Sequence, residues 1–204
     1  MPTIVSESAT FERELWTAAD FLSWLQPGTH ADLIDGLKFM HSPVSFEHAR
    51  LANFVDHLLR VWLETSDFGG ELHREVVAVK LDGRNVFLPD LCWFDANQVP
   101  RLAESHAPFA PRLVCEILNP RTADRDTGPK FSAYEAAGVE EYWILDPHTF
   151  AHRFYHRIEG SEYLEEFADG EEWIASGVLA GFRVKREWLN PISHPRVIDC
   201  LERI

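Results

Sequence analysis

Leu113-Val114-Cys115-Glu116-Ile117-Leu118 is a short apolar run with a single carboxylate set inside it. Its length and its apolar content fit a strand in a core. A polar loop follows, Asn119 to Gly128, and Pro129 can open a helix as its first residue. Gly138 is placed to end that helix, and Tyr142-Trp143-Ile144-Leu145 is again strand-like. Strand, helix and strand in succession predict an α/β protein: a mixed sheet flanked by helices.

The same alternation extends in both directions. Upstream, Leu72 to Leu81 and Asn85 to Phe94 have a period of two and are expected as two strands joined at Asp82-Gly83. Before them, Ser45 can cap a long helix whose stripe is Leu51, Phe54, Val55, Leu58, Leu59 and Trp62, and Gly69-Gly70 closes the segment after it. Asp32-Leu33-Ile34 and Leu37-Lys38-Phe39-Met40 flank Asp35-Gly36, a strong hairpin signal. Thr17 can cap a first helix over Ala18–Leu25, stopped by Pro27 and Gly28. Residues 95–111 are a polar connection with three prolines. Downstream, Ala151–Ile158 and Tyr163–Phe167 are expected strands, and residues 189–204 form a C-terminal tail. No internal repeat or linker interrupts the pattern, so one domain over 1–204 is expected.

Hydrophobic residues make up 46% of the chain and charged ones 25%, which fits a soluble globular protein. No apolar stretch is long enough for a membrane helix. Met1 to Thr10 carries Glu7 and has no basic-then-apolar leader pattern, so a cytoplasmic protein is expected. Cys92, Cys115 and Cys200 are odd in number and form no CxxC pair; buried free thiols are the simplest reading. The formal charge of −14 argues against a protein that coats nucleic acid through phosphate neutralisation alone. It leaves room for a site where bound cations and a local basic cluster offset the acidity.

Chemistry concentrates at two carboxylates. Asp90 lies within Val86-Phe87-Leu88-Pro89-Asp90-Leu91-Cys92-Trp93-Phe94, and Glu116 within the run quoted first. A carboxylate among apolar strand residues is paired, protonated or bound to metal, because desolvating it alone is costly. Two on neighbouring strands can share a hard cation, Mg²⁺ or Mn²⁺. Lys130 opens the next helix, with Tyr134 one turn later on the same face and Asp126 four residues before it. Taken singly, Asp90 could be a turn residue, Glu116 a partner for Arg112 on the same strand face, and Lys130 a solvated first-turn residue. His48 could bond a loop carbonyl or face the site. Asp126 could bond Lys130 or cap the helix. Arg112, Arg121, Arg125 and Lys130 form the basic cluster nearest the carboxylates, either a surface loop of mixed charge or a phosphate-positioning loop. His148, His152 and His156 have a four-residue spacing that would suit zinc on a helix, but Pro147 and Phe154-Tyr155 make the segment a turn and strand.

Taken as a set, Pro89-Asp90, Pro111 to Pro120, Asp126, Lys130, Tyr134 and Gly138 to Pro147 resemble the Uma-two family of restriction-endonuclease-type proteins, within the PD-(D/E)XK nuclease superfamily. Asp32 to Gly36, Ser42-Pro43 and His48 add to the likeness, which covers about 18–188. The resemblance implies a restriction-endonuclease-like core and Mg²⁺-dependent hydrolysis of DNA leaving a 5′-phosphate. It implies Asp90 and Glu116 as metal ligands, with Asp32 and the backbone carbonyl of Ile117 as further ones. Lys130 and His48 join them as catalytic candidates. A homodimer would cut both strands of a duplex. The chain departs from the family pattern at Asp32, where Glu is usual, and at Leu37, where an acidic residue is common. It departs again at Leu118, where related nucleases carry Lys, and at Asn119, where Ser is usual. The rival expectation is a nuclease fold without catalysis, serving as a nucleic-acid-binding or regulatory module.

Overall fold

The computed structural model describes residues 15–204 apart from 75, 76, 159, 160 and 163. The segment Met1–Thr10 and the expected strand start at Tyr163 lie outside the described residues. Helix α1 (Ala18–Trp24) begins at Thr17, whose hydroxyl accepts the Asp20 N–H. Strands β1 (Ala31–Ile34) and β2 (Leu37–Met40) turn at Asp35 and Gly36, both at positive φ, as a tight hairpin requires. Helix α2 (Phe46–Ser66) starts at Ser45, whose side chain accepts the His48 N–H at 3.2 Å.

The next stretch departs from expectation. The run from Leu72 to Leu81 contains two strands, β3 (Glu71–Arg74) and β4 (Ala78–Lys80). The run from Asn85 to Phe94 likewise contains β5 (Val86–Phe87) and β6 (Leu91–Phe94). β4 and β5 pair in one sheet, β3 and β6 in another. Between β3 and β6 the chain therefore crosses between sheets twice. In the second crossing the break is at Pro89, which has no N–H to give a ladder. Asp90 is accordingly at the crossing, not in the middle of a strand. The hairpin at Asp82-Gly83 is present between β4 and β5, tied by the Asp82 carboxylate to the N–H groups of Arg84 and Asn85.

Strand β7 (His106–Ala107) arises inside the polar connection and pairs parallel with β4. Then come β8 (Leu113–Ile117), helices α3 (Ala123–Asp126) and α4 (Pro129–Ala136), and β9 (Glu141–Leu145), β10 (Arg153–Arg157) and β11 (Leu164–Phe167). Strands β12 (Trp173–Ala175) and β13 (Arg183–Lys185) form a small hairpin sheet, and helix α5 (Val197–Leu201) closes the chain. The larger sheets run β2-β1-β5-β4-β7 and β11-β10-β9-β8-β6-β3. Each is antiparallel except at one pair, β4 with β7 and β8 with β9. The fold is a mixed α/β arrangement of two mixed sheets with helices.

Alternation sorts the side chains. Leu113, Cys115 and Ile117 face a core shared with the α2 stripe, Trp143, the β12–β13 hairpin and the C-terminal segment. Val114 and Leu118 face the opposite core, with Tyr134 of α4 and with Ile34, Val79 and Phe87 from the five-stranded sheet. Glu116 belongs to that second face. The C-terminal segment is packed inward: Trp188, Leu189 and Cys200 are buried in the α2 core. All three cysteines are buried free thiols. Among the described residues, no helix is long and apolar enough to cross a membrane.

Candidate functional site

The site forms where the two larger sheets part. From the five-stranded sheet, β1 turns Asp32 inward, and its Oδ1 accepts the Leu88 N–H at 2.8 Å. From the six-stranded sheet, β8 supplies Glu116. Between them lies Asp90, just past Pro89. Its Oδ2 takes the Ile117 N–H at 2.6 Å where Pro89 ends the ladder, and the Asp90 N–H faces Glu116 Oε2 at 3.4 Å. The carboxylates thus fasten the junction of the sheets as well as lining it.

Lys130 enters from the first turn of α4. Its Nζ lies 2.5 Å from Glu116 Oε1, 3.3 Å from Asp126 Oδ1 and 3.4 Å from Asp32 Oδ2. One turn on, the Tyr134 hydroxyl donates to the same Glu116 oxygen at 2.8 Å. Asp126 is held over the sheet by Tyr142, whose hydroxyl donates to its carbonyl. Two imidazoles complete the ring: His48 Nε2 is 3.3 Å from Asp90 Oδ2, and His41 Nε2 is 3.1 Å from Asp32 Oδ2. A central cavity of about 80 Å³ is lined by these acids, Lys130 and both histidines, with Ile117, Asn119 and Arg125 beside them. That volume suits a few water molecules.

Charge is unevenly matched. Asp32, Asp90, Glu116 and Asp126 line the cavity with the ammonium of Lys130. Burial and the neighbouring acids drive the Glu116 carboxyl up to about 8 despite Lys130 beside it. Burial likewise raises Asp126. Burial works against the charged form of Asp32 too, but Lys130, His41 and the Leu88 N–H outweigh it and hold that carboxyl below its usual range. Burial opposes the charge on Lys130, yet Asp32, Glu116 and Asp126 together keep its ammonium well above the ordinary range. Among the described residues, no three His, Cys, Asp or Glu side chains are arranged to hold a metal ion. Lys130 stands among the acids instead. The donors are hard carboxylate oxygens in excess of the nearby ammonium, which is the chemistry a hard divalent cation requires.

The sequence candidates Asp32, His48, Asp90, Glu116, Ile117 and Lys130 all line this one cavity, as do Asp126 and Arg125. Arg121 lies in an adjoining hollow. Asn119 accepts the Arg121 N–H and so holds the turn around Pro120. Arg112 is elsewhere, bound to Glu140 and Asp95. It does not pair with Glu116, because four residues along a strand separate them by about 13 Å. His156 is on β10 and His148 in the turn before it, so the three histidines share no helix. His41 was missed. Its signal is the hairpin register: Asp32 pairs with Phe39, so His41, two positions on, shares the face of Asp32.

The fold and cavity define a class of mixed α/β proteins with a carboxylate–ammonium cluster at the junction of two sheets. Within it, this chain belongs to the Uma2 family, described as "Putative restriction endonuclease", which residues 18–188 match. A solved structure from Anabaena variabilis ATCC 29413, described as "a putative nuclease belonging to DUF820", is similar with a TM-score of 0.69 at 16% sequence identity. The match covers 85% of this chain and 96% of that one, and shows a shared fold. No curated protein matches.

Proposed function

We propose that this chain is a metal-dependent endonuclease that hydrolyses DNA phosphodiester bonds on a PD-(D/E)XK core. The observation that carries the reading is the meeting of Asp90, Glu116 and Lys130 in one cavity, in a chain of a nuclease-type family. Asp90 and Glu116 would hold Mg²⁺ or Mn²⁺, with Asp32 and the Ile117 carbonyl as further candidates. The ion, when bound, lowers the pKa of water and offsets charge growing on the phosphate. The protein's own groups set the stage. Ile117 N–H and His48 Nε2 fix the direction of the Asp90 carboxylate. Tyr134 fixes one oxygen of Glu116. Lys130 positions the water or a phosphate oxygen, and Arg125 at the cavity wall receives the neighbouring phosphate. In the reaction, a water oxygen bonds to phosphorus and the P–O3′ bond breaks, leaving a 5′-phosphate and a 3′-hydroxyl.

Glu116→Gln tests the reading. Gln keeps the shape, removes the charge and lessens repulsion with Asp90, Asp126 and Asp32. Metal-dependent cleavage should fall on the order of a thousandfold, while the unfolding midpoint stays close to that of the wild type. Cleavage that survives in the folded variant, or a wild-type protein that cuts no DNA with either metal, sinks the proposal. In the second case the fold is better read as a binding or regulatory module.

A further inference from the structure

The central cavity continues on both sides. It shares Met40, His41, Ser42, Val44, Leu88 and Asp90 with a hollow of about 490 Å³ that reaches Thr29 and His30. It shares Val44, His48 and Asn119 with a hollow of about 370 Å³ that reaches Arg121 and His148. The three hollows adjoin one another, and Val44 borders all of them, while Met40, His41 and Ser42 border the first two.

Apolar side chains on the segment from Met40 to Val44 meet solvent beside exposed His41 and Ser42. Met40 is 57% exposed and Val44 45% exposed, and Phe46, two residues on, is 80% exposed. Of these, Met40 and Val44 border the polar cavity itself, and exposed apolar side chains at such a rim offer a contact for a bound partner. The same cavity is lined by Arg125, held over the Phe39 ring at 4.3 Å, and Arg121 lines the hollow that Val44 borders. Exposed apolar side chains and two guanidinium groups therefore border the same recess, with the acids set deeper. The Lys130 side chain is only 4% exposed and that of Glu116 5%.

We propose that the strand received by this recess is single-stranded DNA, with unpaired bases against Met40 and Val44 and phosphates against Arg121 and Arg125. The inference rests on the hydrolysis reading of the same cavity. The formal charge of −14 weakens any affinity drawn from phosphate neutralisation, and Lys130 is already engaged by three carboxylates. Affinity has to come from contact with base faces, which a duplex keeps stacked inside itself and a single strand offers freely. Recession of the acids acts in the same direction. A flexible strand can bend a phosphate into a narrow cavity, whereas a duplex must first open.

The test is fluorescence anisotropy at fixed ionic strength, with Ca²⁺ replacing Mg²⁺ to hold back cleavage. The probes are a fluorescein-labelled mixed-sequence oligonucleotide and its blunt duplex. The single strand is expected to bind at least about tenfold more tightly than the duplex. The double variant Met40→Ser, Val44→Ser should lose that preference while keeping the wild-type unfolding midpoint. Equal or tighter duplex binding overturns the inference, as does a double variant that binds like the wild type, or no binding of either probe. A dimer that the double variant dissolves, with no affinity for the strand, also overturns it and assigns the apolar rim to a second copy of the chain. Duplex plasmid cleaved by wild-type protein without any single-strand preference defeats this inference alone. Single-strand preference without cleavage in Mg²⁺ or Mn²⁺ supports this inference and defeats the hydrolysis reading alone.

Discussion

Replacing Lys130 with Met would remove the ammonium that Glu116, Asp126 and Asp32 share at 2.5, 3.3 and 3.4 Å. Met is close to Lys in length and can fill the space beside Phe87, so the change removes charge more than packing. Breaking a buried ion pair costs about 3–5 kcal/mol, because the partner charge stays behind in a poorly solvated place. Burial and the neighbouring acids already push the Glu116 carboxyl upward, so it can take up a proton once the ammonium is gone, which places the loss toward the lower figure, about 3 kcal/mol. A divalent cation bound by the freed acids would restore much of it. At a hundred times the dissociation constant, binding to the folded state alone contributes about 2.7 kcal/mol. The assay is urea unfolding of wild type and variant, each in EDTA and in excess Mn²⁺. In EDTA the variant should be the less stable by about 3 kcal/mol. In Mn²⁺ it should gain more than the wild type, in which the ammonium contends for the same oxygens. A stability loss of equal size with and without Mn²⁺, or a larger gain in the wild type, would refute the view that Lys130 stands where a cation is wanted.

Glu141 should be a strong stability determinant away from the cavity. Its buried carboxylate accepts from Trp143 Nε1, Ser176 Oγ, and the N–H groups of Gly177 and Val178, so Glu141→Ala should lower unfolding free energy by about 4 kcal/mol in urea titrations. A loss under about 1 kcal/mol would show that water replaces the carboxylate at no great cost. His152 should make stability depend on pH. Burial, helped by the Arg186 charge, drives its imidazole down to about 4, so the unfolded chain binds the extra proton between the ordinary value of 6.5 and 4. Its contribution is complete above about pH 6.5 and is lost as pH falls, amounting to about 2 kcal/mol between pH 7 and pH 5. His152→Gln should remove that part of the slope, and an unchanged slope would assign it to other groups.

Local signals made much of the fold legible. Caps at Thr17 and Ser45, the turn at Asp35-Gly36 and the stripe of α2 each act over a few residues, and each element formed where its signal lies. The division of the long β runs was not legible in the same way. Residues on either side of Pro89 keep the same apolar character whichever sheet they join, so periodicity cannot say that β5 and β6 part company. β12 and β13 are three residues each, too short for a periodic pattern to show. Burial of Trp188, Leu189 and Cys200 depends on α2 and the β12–β13 hairpin being already in place, which no window around Pro191 and Pro195 records. In the cavity, the acids stood out because they interrupt apolar runs. His41 did not, since its place beside Asp32 follows only from carrying the hairpin register one step past β2.

The location of the cavity follows from the crossing between sheets. A chain that leaves one sheet for another must leave ladder N–H groups without backbone partners, and buried N–H groups need acceptors. Here carboxylates supply them: Asp32 takes Leu88 N–H and Asp90 takes Ile117 N–H. An apolar residue at either position would leave the junction with an unsatisfied donor, while a carboxylate satisfies it and brings charge into the interior. Where such charges gather, a cation among them is favourable, and Lys130 supplies one from α4 beside Asp32, Glu116 and Asp126, while His48 faces Asp90. The junction of the sheets and the chemistry of the cavity therefore make the same demand on the sequence. Neutral substitutes that preserve hydrogen bonding, such as Asn at Asp90, should separate the two, keeping the Ile117 contact while reducing the attraction for a cation. Equilibrium dialysis against Mn²⁺ would read that separation directly, and undiminished uptake by a folded Asp90→Asn protein would count against Asp90 as a ligand.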